Sequence, residues 1–95
     1  MNLQRTDAYH NFVSRYPDSE PEATVHSNGM RTEIMLGMRH DIVEQVLIGL
    51  YSPDGACRRE EVIEEDTLKR SLGVLRVLPE SALDFARQHA DAIAR

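Results

Sequence analysis

The sequence predicts an all-α fold, a small helical bundle of three to four helices that associates as a dimer. Three observations carry this. Apolar residues recur at steps of three and four in separate stretches, capping residues and prolines punctuate those stretches, and one apolar face is broader than a single neighbouring helix covers. An α+β arrangement with a central hairpin is the alternative.

The first helix runs over residues 6–16. Thr6 caps it, Asp7 sits in the first turn where the helix dipole favours an anion, and Pro17 stops it. Tyr9, Phe12, Val13 and Tyr16 are the side chains it can bury, and a helix this short needs docking to persist. From Pro17 to Gly29, two prolines, three acids and small polar residues read as a flexible linker. Residues 1–29 thus form a short helix plus linker, and residues 30–95 a helical core. Asn28-Gly29 is also a hairpin signal that would join Ala23–Ser27 to Met30–Leu36, because both turn residues tolerate positive φ.

Met30 to Tyr51 carries the strongest helical pattern. Met35, Met38, Ile42, Val46 and Leu50 recur at steps of three and four, and Ile34, Leu36, Val43 and Leu47 widen the stripe. Gly37 and Gly49 weaken the helix, and Asp41 with Glu44 makes a possible capping box that would kink it near His40. Ser52-Pro53-Asp54-Gly55 is a type I turn. A helix follows over residues 58–77, restarting at Asp66-Thr67. Pro79 breaks it, and the last helix spans residues 80–94. In the α+β alternative, Val46–Tyr51 and Ala56–Ile63 instead form a hairpin around Ser52–Gly55.

Ninety-five residues suit one domain with a thin, aliphatic core, since aromatics make up only 5% and Trp is absent. The net charge of −5 lacks the basic surplus that phosphate binding draws on, so nucleic acid is not an expected partner. The longest nearly apolar run, Val46–Tyr51, is too short to cross a bilayer, and no membrane partner is expected. A single cysteine without a signal sequence points to a cytoplasmic protein.

The motifs that could carry chemistry are sparse. Cys57 adjoins Arg58 and Arg59, which would lower a thiol's pKa, but Glu60 and Glu61 offset them and there is no second cysteine to resolve an oxidised thiol. His40 and Glu44 have helical metal-ligand spacing, yet two ligands do not make a site. Residues 52–66 hold six acidic groups against two basic, and within them Glu61 and Glu65 form a face that could dock a basic partner. Lys69, Arg70 and Arg76 are the one cluster that could touch phosphates.

The sequence therefore supports no catalytic residue, no cofactor and no metal. It points to a small regulatory or protein–protein interaction module, acting as a homodimer and binding another protein. The candidate interaction residues are Met35, Met38, Ile42, Val46 and Leu50, with Glu61 and Glu65. A transcriptional regulator that binds nucleic acid and a thiol-based redox sensor are the alternatives.

Overall fold

The structure, a computed structural model, describes residues 2–95. Among these the chain runs α1 (Asp7–Arg15), β1 (Glu22–Val25), β2 (Arg31–Arg39), β3 (Ile42–Tyr51), β4 (Cys57–Glu64), α2 (Glu65–Leu72) and α3 (Pro79–Ile93). The strands form one antiparallel meander in chain order. The fold is α+β, and this corrects the expected all-α bundle. Residues 30–51, expected as one kinked helix, are the β2–β3 hairpin. Residues 58–64, expected as the start of a helix, belong to β4.

The reason lies in how the sheet is covered. Helices pack on both of its faces, so β2 and β3 bury residues of both parities and read as nearly continuous apolar runs rather than alternating ones. On one face Met35 and its cross-strand partner Leu47 pack with Phe12 and Tyr16 of α1. On the other, Ile34, Val46, Ile48 and Ile63 pack with Leu68 of α2, Val77, and Ala82, Ala86 and Ala90 of α3. The three alanines, spaced by four and fully buried or nearly so, let α3 lie close to the sheet. Burying one Ile or Leu contributes on the order of 1.5–3 kcal/mol, so the α3 face dominates the core.

The turns follow local chemistry. His40 and Asp41 join β2 to β3, both with positive φ, as a two-residue hairpin turn demands. Just beyond them Met38 faces Val43 while Gly37 faces Gln45, which leaves Glu44 as the extra residue of a bulge. The bulge turns Glu44 toward α1, where it accepts a 3.0 Å hydrogen bond from the Tyr16 hydroxyl. It also frees the Val43 N–H, which donates to the Val77 carbonyl at 2.9 Å and ties the α2–α3 connector to the sheet. At Ser52–Gly55 the expected turn forms, with the Gly55 N–H donating to the Ser52 carbonyl at 2.8 Å. Thr6 caps α1, its hydroxyl oxygen accepting from the Tyr9 N–H at 3.1 Å.

β1 is the short strand. Its ladder with β2 ends at Glu22 opposite Ile34, although β2 continues to Arg39 beside β3. Residues 17–29, expected as a linker, contain β1 and the turn through Asn28-Gly29 that leads into β2. Among the described residues no helix is long and apolar enough to cross a membrane.

Candidate functional site

Where β1 stops, the sheet is left incomplete. Tyr16 ends α1, Pro17 prevents its continuation, and residues 17–21 carry the chain around the rim of β2 to the start of β1. The Ser19 N–H donates to the Tyr16 carbonyl at 3.0 Å and fixes this bend. Between the bend and α3 lies a groove of about 280 Å³. Ile34, Leu36, Met38 and Leu83 form its apolar floor, and Asp18, Ser19, Glu20 and Glu22 form its wall. Met38 is 46% exposed. Glu22 is engaged by Arg87 at 2.6 Å, which, as a hydrogen-bond donor, lowers its pKa from the ordinary carboxylate value. Asp18 and Glu20 have no ion-pair partner among the described residues.

A second hollow of about 270 Å³ shares Asp18, Ser19, Leu36 and Met38 with the first and continues past Arg15, Arg39 and His40. The two make one trough, acidic toward α3 and of mixed charge toward the β2–β3 turn, where Asp41 joins Arg15, His40 and an Arg39 that pairs with Glu44. Ser19 lines both hollows, but its hydroxyl oxygen is shielded from solvent and has no hydrogen-bond partner. A hydroxyl held dry and unpaired is uncommon, because each such group costs the desolvation of its oxygen. The trough therefore offers an apolar floor beside two carboxylates, Asp18 and Glu20, that pair with no cation among the described residues.

The second concentration of charge is closed. Glu33, on the α1 face of β2, is 3% exposed. Its carboxylate accepts from the Arg5 guanidinium at 2.8 Å and from Arg31 at 3.1 Å. Arg5 also donates to the Tyr51 hydroxyl at 3.2 Å and lies 4.2 Å from the Tyr9 ring centroid. Burial pushes the Tyr51 hydroxyl up, and Arg5 partly opposes that. The Gln4 N–H donates to the Gly55 carbonyl at 2.8 Å, and Thr6 hydrogen-bonds Glu60. These bonds strap residues 4–6 across the sheet, and they leave the Glu33 carboxylate no room for a substrate.

The residues singled out from the sequence are dispersed. Met35 lies under α1, whereas Val46 and Leu50 are buried on the opposite face, so the helical stripe that grouped them does not exist. Ile42 is half-buried at the start of β3. Met38 alone of the seven lines the trough. Glu61 pairs with Arg59 at 2.7 Å and with His89 of α3, and His89, its strongest influence, holds its pKa below the ordinary value. Glu65 starts α2 and meets Lys69 at 3.2 Å. Glu61 and Glu65 therefore lie on a strand and a helix, not on one helix face.

Cys57 is half-buried, and burial followed by the Glu60 carboxylate pushes its thiol up, away from the reactive thiolate. His40 sits in a turn and Glu44 in the bulge, where Glu44 meets Tyr16 and Arg39. Among the described residues no group of three or more His, Cys, Asp or Glu side chains converges as a metal site. The wall of the trough escaped the sequence reading because Pro17-Asp18-Ser19-Glu20-Pro21 has the composition of a linker. The signal that could have found it is the pair of prolines, which stiffen a short acidic segment instead of freeing it.

No family model matches the chain, and comparison with curated proteins and with solved structures finds no significant match either.

Proposed function

We propose that this chain is a non-catalytic interaction module that binds another protein through the trough between α3 and the 17–21 bend. The observation that carries it is the solvent-open apolar floor around Met38 beneath a wall of carboxylates. Drug-sized ligands usually occupy pockets of roughly 300–1,000 Å³ that enclose most of their surface. The trough, two adjoining hollows of about 280 and 270 Å³ that lie open to solvent instead of enclosing a ligand, is better matched to side chains of a larger partner. Exposed apolar surface rimmed by polar groups is the usual mark of such a contact. The single cysteine suits a reducing compartment, the cytoplasm.

Affinity purification of the tagged chain from its native cells tests this. A partner captured by the wild type and lost in Met38→Glu, with an unchanged melting curve, supports the reading. A partner retained equally by both overturns it.

A homodimer is the second reading. It is supported by the α2–α3 connector, where Leu75 is 90% exposed, Leu78 56% and Val74 37%. Sedimentation equilibrium on wild type and Leu75→Asp separates the two surfaces, since a dimer formed there would dissociate in the variant.

A further inference from the structure

We infer that the trough accepts an extended segment of a partner protein carrying an apolar side chain flanked by basic ones. This rests on the protein-binding reading above and names the chemistry of what is bound.

Three features of the trough specify that occupant. Its floor of Leu36 and Leu83, both partly buried, and of Met38, which is exposed, takes an apolar side chain. Its wall presents Asp18 and Glu20, exposed and without ion-pair partners, which complement Lys or Arg on the incoming chain. The third feature is the rim of β2. No strand pairs with it beyond Ile34, so the outer backbone edge of residues 35–39 is open to main-chain hydrogen bonds from an added extended segment. In that mode alternate side chains point to one face, which brings one apolar group onto the floor while its neighbours run along the wall.

Several of the other carboxylates are committed to cations. Glu22 is held by Arg87, Glu61 by His89 and Arg59, Glu33 by Arg5 and Arg31. Asp18 and Glu20 keep their charge available, and they do so beside exposed apolar surface.

Fluorescence anisotropy with three labelled nine-residue peptides tests the inference on the full chain. One has a central leucine between arginines, one a central leucine between glutamates, and one a central serine between arginines. Only the first is expected to bind, more weakly as salt rises. The double variant Asp18→Lys/Glu20→Lys should lower its affinity roughly tenfold or more and improve binding of the glutamate peptide. Met38→Glu should abolish binding of the arginine–leucine peptide. Both variants change exposed side chains, and unchanged circular dichroism confirms their folding.

Equal binding of the two leucine peptides, indifference to the charge reversal, or no binding of any peptide overturns the inference. Concentration-dependent self-association that disappears in Met38→Glu also overturns it, by giving the trough to a second copy. In any of these cases the protein-binding reading is judged separately, by whether Met38→Glu loses the partner captured from cells.

Discussion

Gly37→Ala should destabilise the domain by about 2 kcal/mol, although alanine is ordinarily the better residue. A methyl group built on Gly37 would lie 2.5, 2.6 and 2.8 Å from Cε2, Cδ2 and Cζ of Tyr16. Carbon atoms prefer separations of about 3.5–4.0 Å, so the ring must retreat by roughly 1 Å. It has little freedom to do so. Tyr16 is 5% exposed, packs against Phe12 with centroids 5.0 Å apart, and donates to Glu44 at 3.0 Å. Overpacking a core typically costs about 1–3 kcal/mol. Weakening a hydrogen bond to a carboxylate adds roughly 1 kcal/mol. Removing glycine's unfolded-state freedom returns about 0.5–1 kcal/mol. The balance of about 2 kcal/mol corresponds to a melting temperature lower by roughly 8–16 °C in a domain of this size. Thermal and urea unfolding followed by circular dichroism measure it. In a Tyr16→Ala background the same change at Gly37 should be neutral or mildly stabilising. A Gly37→Ala protein that melts within about 2 °C of its parent would refute the placement of Tyr16 over Gly37.

Arg5→Ala leaves the buried Glu33 carboxylate with Arg31 alone. Breaking a buried pair costs roughly 3–5 kcal/mol, and the remaining partner reduces this to about 2 kcal/mol. Urea unfolding should show that loss, and Glu33→Gln in the same chain should recover part of it. No loss in Arg5→Ala would remove the strap from the account of stability. Ser19→Ala should raise stability by up to about 1 kcal/mol, since it deletes an unpaired buried hydroxyl, and a lower melting point would reveal a partner for that oxygen. The pH dependence follows from Glu61, lowered by His89 and Arg59, and Glu22, lowered by Arg87. Their folded pKa values lie below the ordinary 4.5, so the unfolded chain binds these protons first. The stability they contribute is complete above about pH 4.5 and is lost as the pH falls through their depressed values. Both pairs are partly exposed, so added salt should shrink the effect. His89→Ala should flatten the acid limb of the unfolding curve, and an unchanged limb would contradict the Glu61 assignment.

The elements legible in the sequence are those set by local chemistry. Thr6, Asp7 and Pro17 bound α1, Pro79 opens α3, and Ser52–Gly55 turns the chain, each through a backbone preference that needs no distant partner. The Asn28-Gly29 signal and the alternative hairpin around Ser52–Gly55 also correspond to turns of the sheet. The β2–β3 hairpin does not show in the sequence for two physical reasons. Its turn is His40-Asp41, which lacks the glycine that marks such turns, although both residues adopt positive φ. Its strands are covered on both faces, and the bulge at Glu44 shifts the parity once more, so no run of alternation survives long enough to outweigh a 3.6-residue period.

The same fact explains why the candidate site was out of reach. Met35, Val46 and Leu50 look like an exposed stripe only if the chain is helical; in a sheet they divide between two buried faces. Apolar pattern reports which residues need cover, and tertiary pairing decides which of them receive it. β2 asks for cover along nine residues, and β1 supplies it along four. The shortfall falls at Leu36 and Met38, and the prolines at 17 and 21 hold the chain that could have paired there in a bend instead. Extending β1 would have completed the ladder and buried Met38. The short strand instead keeps an apolar floor open beside Asp18 and Glu20, so the proposed docking surface arises from where the sheet stops rather than from any one motif.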